Sequence, residues 1–348
     1  MKHLILIAIT FLFSSLETFS QDFVTRLNNG DRLFFHITDT THKKVEIVRV
    51  KTLNGAKVSL PSGNLEIPST VKYKDTTYYV MSIGLDAFAG AEELTSVTMP
   101  SSITQIGDRA FSGCPKLKSV VFPSCKPKIG EHAFENCKSL SSVSFGSDWT
   151  SLELQLFEDS ASLTEVYVPA RAVKVTGVKL LPNLQRIDVD ANNRAFSSHD
   201  GMLYSKDGKT FYACPRARKE KVSLIPGTEK VLDGAFRGCT KIEEVYLPAS
   251  VHELSYDEFA GCTSLTSITM MSGIPPITAK WNGATVFAIK SPGKDCRIYV
   301  PKENLSRYRT AICSTMGLYE TLTGARKEKV GEDGMIGKSA VKKIKKQR

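Results

Sequence analysis

The chain has 348 residues, of which 41% are hydrophobic and 24% charged, a composition that is ordinary for a folded soluble protein. Its formal net charge is +10, but residues 325–348 hold nine Lys and Arg against three Asp and Glu and so contribute +6 of it. The rest of the chain is close to neutral for its size. This excludes the broadly basic surface that nucleic-acid binding needs, and no nucleic-acid partner is expected.

The first twenty residues, MKHLILIAITFLFSSLETFS, predict a secretory signal peptide. A basic start at Lys2 is followed by an apolar run from Leu4 to Leu16 and by small polar residues up to Ser20. The alternative is a membrane anchor, but a span needs about 20 apolar residues and this run is shorter. We therefore expect export and cleavage after Ser20, and no transmembrane segment in the rest of the chain.

Residues 21–80 predict a β-rich N-terminal cap for the repeats that follow. The stretch RLFFHITDTTHKKVEIVRV combines strand-forming residues with a polar turn, and LEIP resembles the end of a strand. Such strands would cover the first repeat, whose apolar core and strand edge would otherwise be exposed.

Residues 81–301 repeat one phrase, of which AFSGCPKLKSVVFP at 110–123 is a copy. Six copies align on a phenylalanine, and neighbouring copies within each run are 23 residues apart. Four other columns, at −5, +6, +9 and +11 from the phenylalanine, are apolar in every copy. The aligned phenylalanines are Phe88, Phe111, Phe134, Phe157, Phe236 and Phe259.

A fixed period of this length is typical of a solenoid, because one repeat cannot bury its own apolar face and needs neighbours. Positions +9 and +11 are two apart, so they face one side of a strand, and successive strands should stack as a parallel sheet. The phenylalanine and the −5 residue close the core from the opposite side. In four copies a proline at +12 ends the strand: Pro100, Pro123, Pro169 and Pro248.

Three stretches depart from the 23-residue repeat. Residues 173–189 fit a shorter coil without its phenylalanine, and Ile298 to Pro301 resembles the last strand, with Phe287 near the expected place. Between them, residues 190–230 predict an insertion on the solenoid. Within it GMLYSKDGKTFYAC alternates around Asp207-Gly208, which indicates a hairpin.

The two C-terminal segments differ in composition. Residues 302–324 predict a short C-terminal cap that begins as a helix. Residues 325–348 are basic and poor in large apolar residues, which is typical of a disordered tail. An electrostatic clasp for an anionic surface is the functional alternative for this tail.

The phrase IGDRAFSGCPKLKSVVFP and its copies resemble the leucine-rich repeats of the Bacteroides surface protein A (BspA) type. The shared features are Ile-Gly, Ala-Phe, Gly-Cys, Leu-x-x-Val and a strand-ending proline at a fixed repeat step, and HDGMLYSKDGKTFYACP resembles an insertion seen between such repeats. The resemblance implies a leucine-rich repeat fold and an exported, surface-associated protein. Some proteins of that family are adhesins that bind host matrix proteins or other bacteria. The ligand does not follow from it, since one solenoid fold serves unrelated partners.

The sequence predicts neither an enzyme nor a cofactor or metal site. The six histidines are scattered without a second ligand at metal spacing, and no nucleophile motif is present. GEDGMIGKS at 331–339 is not a phosphate-binding loop, because Gly331 and Gly337 are six apart instead of five.

Six of the eight cysteines fall into two groups. Four occupy the +3 column, where other copies have Ala91 or Ser160, so buried free thiols are favoured there, although adjacent coils would also bring them within reach of a disulfide. Cys296 and Cys313 are a disulfide candidate in an exported protein. The four cysteines of the column are Cys114, Cys137, Cys239 and Cys262.

If +9 and +11 point inward, +8 and +10 point outward and form the surface on which a partner would bind. The outer coils carry hydroxyl residues there, whereas the middle coils gather charged and aromatic residues, which are favoured in interfaces. The same residues also suit a half-exposed strand without any binding role. The candidate binding patch is Glu165, Tyr167, Arg186, Asp188, Glu244 and Tyr246.

Two functions remain open at this point. The first is an exported binding protein, a cell-surface adhesin or recognition module that holds a protein or glycan ligand, such as host matrix or another bacterial surface. The second is a periplasmic or envelope scaffold with no external ligand, held through the basic tail. The sequence leaves the oligomeric state and the choice between cell surface, medium and periplasm open.

Overall fold

The structure, a computed structural model, describes residues 22–27, 29–53, 56–255, 258–277, 279–281, 284–286, 296–308 and 335–337. The predicted signal peptide at 1–20 lies outside these residues. The chain divides into two units, Met1–Gly177 (unit 1) and Val178–Arg348 (unit 2).

The described residues of unit 1 form strands and one short helix. A 3-10 helix, Leu154–Phe157, buries Leu154 and Phe157. The strands are β1 Asp22–Arg26, β2 Arg32–Asp39, β3 Lys44–Val48, β4 Thr52–Leu53, β5 Ala56–Lys57, β6 Gly63–Glu66, β7 Thr70–Tyr73, β8 Thr76–Ile83, β9 Leu94–Thr98, β10 Gln105–Ile106, β11 Ser119–Val121, β12 Lys128–Ile129, β13 Ser142–Ser144, β14 Ser151–Glu153, β15 Glu165–Val168 and β16 Lys174–Thr176.

The N-terminal strands of unit 1 join the repeats in a single sheet with the order β1-β2-β3-β8-β10-β12. Strands β1, β2 and β3 pair antiparallel, whereas β3 and β8 pair parallel, as do β8, β10 and β12. Strand β7 pairs antiparallel with β8. The strands between residues 21 and 80 therefore continue the coil sheet and cover its first strand.

A second, four-stranded sheet of unit 1 carries predicted +8 to +11 positions, in the order β13-β11-β9-β6. All pairs are parallel, and each repeat step brings equivalent positions together, as in Val97, Val120 and Val143. These three valines are at most 7% exposed, because alternate side chains of every strand point into the core. The predicted parallel stacking of successive coils is confirmed.

A phenylalanine ladder closes the core of unit 1 on the side opposite the sheet. Phe88, Phe111 and Phe134 stack face to face with ring centroids 5.1 and 5.3 Å apart, and Phe157 follows at 5.6 Å. All four rings are at most 1% exposed. The aromatic column of the sequence is thus a continuous stack through the coils.

Unit 2 repeats this construction, with two 3-10 helices at Val178–Leu180 and Lys302–Asn304. Its strands are β17 Arg186–Val189, β18 Phe196–His199, β19 Met202–Ser205, β20 Thr210–Ala213, β21 Glu220–Ser223, β22 Lys230–Val231, β23 Ile242–Leu247, β24 Ser267–Met270, β25 Ala279–Trp281, β26 Ala284–Val286, β27 Arg297–Tyr299 and β28 Met335–Gly337.

Residues 190–230, which the sequence predicts as an insertion, contain an antiparallel meander of β18, β19 and β20. Asp207 and Gly208 lie in the turn between β19 and β20, where the hairpin was expected. Strand β20 then pairs parallel with β22, and the Phe211 ring lies tilted against Phe236 at 4.9 Å, which in turn stacks on Phe259 at 5.3 Å to form the ladder of unit 2. The meander therefore adds its own phenylalanine to the ladder of unit 2 and is part of the core.

The parallel sheet of unit 2 runs in the order β21-β23-β24-β27-β28. Strands β21, β23, β24 and β27 are parallel, and β28 pairs antiparallel with β27. Strand β21 begins within the interval predicted as an insertion, so the coil sheet resumes there at Glu220. Of the predicted cap at 302–324, residues 302–308 are described: Tyr308 is buried, and its hydroxyl donates to the carbonyl oxygen of Ser272 at 3.0 Å.

The four cysteines of the +3 column are free and 0% exposed. The thiols of Cys114, Cys137 and Cys262 each donate to the carbonyl oxygen of the phenylalanine one coil earlier, at 3.0 to 3.3 Å. The favoured prediction of buried free thiols is confirmed for this column. Cys296 is buried as well, whereas its predicted disulfide partner Cys313 lies outside the described residues.

We expect the thiols of this column to resist alkylation in the folded protein. Burial excludes reagents from all four thiols, and at Cys262 it also raises the pKa of the thiol above its ordinary value, so the reactive thiolate is scarce there. Cys125 is exposed and free and should react. Iodoacetamide labelling mapped peptide by peptide should modify Cys125 within minutes and the column only in denaturant. Native labelling of Cys262 at the rate of Cys125 would contradict this packing.

Candidate binding surface

The outward face of the unit 1 sheet carries mostly hydroxyl groups. Positions +8 and +10 hold Ser119 and Val121 on β11, and Ser142 and Ser144 on β13. At the end of this sheet, the Asn64 side-chain oxygen accepts hydrogen bonds from the hydroxyls of Thr95 and Ser96 at 3.0 and 2.8 Å. This face offers weak hydrogen-bonding groups and little charge.

Two of the six predicted patch residues, Glu165 and Tyr167, lie on β15 in unit 1. Both alternate with the buried Val166 and Val168, so they face solvent, and Tyr167 is 50% exposed. With half of its surface exposed, the Tyr167 ring offers a partner the aromatic contact on this strand. The outward orientation that the sequence predicts for these two residues is thus observed.

Arg186 and Asp188 lie in unit 2, on the outward side of β17 beside the meander. The Arg186 guanidinium contacts the Asp188 carboxylate at 2.6 Å. The backbone of β17 is held by the meander, since the Ile187 N–H donates to the Gly201 carbonyl oxygen at 2.8 Å. The meander therefore holds the strand that carries these two side chains, and their charges largely neutralise each other.

Glu244 and Tyr246 belong to a larger group on the unit 2 sheet, which we call the unit 2 face. Strand pairing aligns its outward residues in two rows, one mainly charged and one of tyrosine and hydroxyl residues. The first row is Lys221, Glu244, Ser267 and Arg297, and the second is Ser223, Tyr246, Thr269 and Tyr299.

Glu244 organises one end of the unit 2 face. Its carboxylate contacts the Lys221 ammonium at 3.1 Å and accepts a hydrogen bond from the Tyr246 hydroxyl at 2.9 Å. The hydrogen bond from Lys221, together with that from Tyr246, holds the pKa of the Glu244 carboxyl below its ordinary value, and the same contact raises the pKa of Lys221. Exposed pairs of this kind add little stability, so their main effect is to orient the tyrosine ring.

Sequence reasoning missed Lys221, Arg297 and Tyr299. The sequence did contain a signal for Lys221. Val222 lies 23 residues before Val245, which is the repeat step, and the two residues pair, so Lys221 stands at the outward position before an inward valine. A signal for Arg297 and Tyr299 was present as well, because Ile298 and Pro301 stand three apart, like the +9 and +12 residues of the copies, which puts Arg297 and Tyr299 at +8 and +10. Strand pairing agrees with this register, although Ile298 pairs with Ile268 across an interval longer than the repeat step.

Two further kinds of feature, a metal site and a membrane span, are not expected from the sequence. Among the described residues no group of three His, Cys, Asp or Glu side chains is placed to hold a metal ion. Within the same residues, no helix is long and apolar enough to cross a membrane. The outward faces of the sheets carry oriented polar and aromatic side chains.

Several solved structures resemble the chain at low identity. The pneumococcal vaccine antigen PcpA shares 16% identity over 84% of this chain and 96% of its own, with a TM-score of 0.49. A leucine rich cell surface protein from Faecalibacterium prausnitzii shares 21% identity over 68% of this chain and 80% of its own, with a TM-score of 0.39. A leucine-rich repeat protein from Eubacterium ventriosum shares 18% identity over 75% and 77%, with a TM-score of 0.42. No curated protein matches the chain.

The family comparison agrees with the coil geometry. The BspA type leucine rich repeat region matches six copies, in residues 64–185 and 205–281, which is more than half of the chain. The matched ranges begin within β6 and include both phenylalanine ladders. The chain belongs to the BspA type leucine rich repeat family.

Proposed function

We propose that the chain is an exported recognition protein that binds a protein or glycan through the outward face of its repeat sheets. The observation that carries this proposal is the unit 2 face, where Lys221, Glu244, Tyr246, Arg297 and Tyr299 lie in register on adjoining strands. Tyrosine and arginine are the residues that most often anchor interfaces.

The packing beneath the unit 2 face supports this role. Val222, Val245 and Ile268 alternate with the outward residues and are at most 1% exposed, so the strands are held by a close-packed core. A rigid face loses little conformational freedom when a partner binds, which favours affinity. Charges of both signs on it suit a partner with a mixed polar surface more than a uniformly anionic one.

The location we propose is the cell surface, and the support is the signal-peptide pattern of residues 1–20 together with membership of the family. External protease treatment of intact producing cells, followed by immunoblot of the chain, tests it. Cleavage on unbroken cells, or recovery from the medium, is the expected result. Protection until the outer envelope is opened would favour the periplasm instead.

The binding role is tested with a double variant, Tyr167→Ala with Tyr246→Ala. We expect it to weaken binding to immobilised matrix proteins or glycans by tenfold or more, since truncated interface tyrosines each cost about 1–2 kcal/mol. The melting temperature should stay within about 2 °C, because both side chains face solvent. Leu85→Ala, an exposed position in the turn after β8 and off the sheet faces, is the control and should leave binding unchanged. Unchanged affinity in the double variant would remove these tyrosines from the binding surface.

An envelope scaffold is the second candidate, and the net charge of +6 in residues 325–348 is the observation that favours it. Such a segment is attracted to anionic envelope polymers. Deleting residues 338–348, which leaves β28 in place, should release the protein from isolated envelopes if this candidate is right. If the recognition function is right, the deletion should leave ligand affinity unchanged.

A further inference from the structure

Strand β6 is the end strand of the second sheet of unit 1 and has one open edge. It pairs with β9, and no other described strand pairs with it. The N–H groups of Gly63 and Ile67 point toward β9, donating to the carbonyl oxygens of Glu93 and Thr98. Because alternate residues of a strand direct their backbone groups to opposite edges, Asn64 and Glu66 present their N–H and C=O groups at the open edge.

An open cleft of about 680 Å³ adjoins this edge, and we call it the β6 cleft. Its walls are β6, the following strand β7 and the turn between β1 and β2. Hydrogen bonds hold the turn in place: the Asp31 carboxylate accepts from the Asn29 side-chain amide at 2.8 Å and from the Ser62 N–H at 3.1 Å. Asp31 therefore ties the turn to Ser62, the residue that precedes β6.

The residues of the β6 cleft are polar around an apolar base. Ile67 and Val71, which line it, are 5% and 2% exposed. Glu66 and Lys72 bring one charge of each sign, and neither forms an ion pair with another described residue. The side-chain oxygen of Asn64 already accepts from Thr95 and Ser96, so its amide N–H groups are the ones that can donate to a partner.

This chemistry favours a peptide over a sugar. A strand edge supplies donors and acceptors at the spacing of another extended backbone, which is the basis of recognition by strand addition. Sugar sites usually need an aromatic ring to pack on the pyranose face, and none of the described residues that line the cleft is aromatic. The short strand β6 spans about 13 Å, room for a few residues of a partner.

We propose that the β6 cleft binds an extended peptide segment of a partner protein, which adds as a strand to the open edge of β6. A basic side chain of that segment lies against Glu66 and an acidic one against Lys72. This site is separate from the unit 2 face and does not depend on the function proposed for it.

The test uses a displayed library of random decapeptides selected on the full chain, followed by fluorescence anisotropy with the best synthetic peptide. Glu66→Pro removes one N–H from the open edge and should weaken binding by about tenfold or more. Glu66→Gln, which keeps the N–H and loses the charge, is the matched control and should weaken it by about threefold or less. Tyr246→Ala should leave peptide binding unchanged, whatever it does to other ligands.

A second measurement does not depend on how well the proline variant folds. The same peptide is made in two forms, N-methylated at its odd or at its even amides. The form that lacks the N–H groups facing β6 cannot donate to the strand edge and should fail to bind the unaltered chain. Equal binding of the peptide and both methylated forms would overturn the proposal. The proposal would also be overturned if no selected peptide were sensitive to Glu66→Pro, or if an oligosaccharide protected β6 from hydrogen exchange.

Discussion

Phe111→Ala is expected to lower the free energy of unfolding by about 3–5 kcal/mol, the usual cost of truncating a buried phenylalanine. Phe111 is fully buried and stacks on Phe88 at 5.1 Å and on Phe134 at 5.3 Å. The truncation therefore leaves a cavity that two neighbouring coils share. Equilibrium unfolding in urea, with hydrogen exchange to locate the loss, measures the effect.

Val121→Ala is the matched control for this prediction, because it removes apolar atoms from β11 in the same coil but on the outward face. Val121 is 40% exposed, and its truncation should change the free energy of unfolding by at most about 0.5 kcal/mol. Hydrogen exchange should accelerate first in the coils of Phe88 and Phe134, since solenoid coils depend on their neighbours. Equal costs for the two variants would show that the ladder does not carry the stability of unit 1.

Glu258→Gln is expected to flatten the dependence of stability on pH. Glu258 is 0% exposed and stands in the column where other coils have alanine, such as Ala110. Its carboxylate accepts the N–H of Phe236 at 2.6 Å and that of Gly234 at 3.1 Å. Burial outweighs these two hydrogen bonds and raises the pKa of Glu258 from 4.5 to about 7.

The sign of the effect follows from that shift. Between pH 4.5 and 7 the folded state holds a proton on Glu258 that the unfolded state has lost, so the stability falls as the pH rises through this window. The shift corresponds to a loss of about 3 kcal/mol between pH 4.5 and pH 8. Urea unfolding at pH 4.5, 6 and 8 should show this slope in the unaltered chain and a smaller one in Glu258→Gln. Exposed Glu243 provides the control: Glu243→Gln should keep the full slope.

The sequence predicted those parts of the fold that depend on burial. A column that is apolar in every copy has to be buried in every coil, so Val97, Val120 and Val143 could be assigned to one inner face before any coordinates. The phenylalanine column and the buried thiols followed from the same argument. The outward orientation of Glu165, Tyr167, Glu244 and Tyr246 is the complement of that inner face.

What the sequence did not predict depends on contacts between residues outside the repeat columns. The interval from Phe211 to Phe236 is slightly longer than the repeat step, so a search at that step passes over Phe211, although its ring joins the ladder. Glu258 looks like a surface residue in the alignment and is buried because the N–H groups of the preceding coil can hold its carboxylate. The β6 cleft lies between β6 and the turn that joins β1 and β2, both within residues 21–80, and no repeat pattern describes contacts inside that segment.

The hydrogen bonds between coils bear on how such a chain changes length during evolution. The Phe88 N–H donates to the Ala110 carbonyl oxygen at 2.8 Å, and the Phe111 N–H donates to the Ala133 carbonyl oxygen at 2.8 Å. Each coil thus presents to the next the same donors that it receives from the one before. A duplication or deletion of whole repeats therefore joins matching donors and acceptors, whereas one that ends inside these hydrogen-bonded segments leaves buried backbone groups without partners. Lineages of this protein should differ from one another by whole coils.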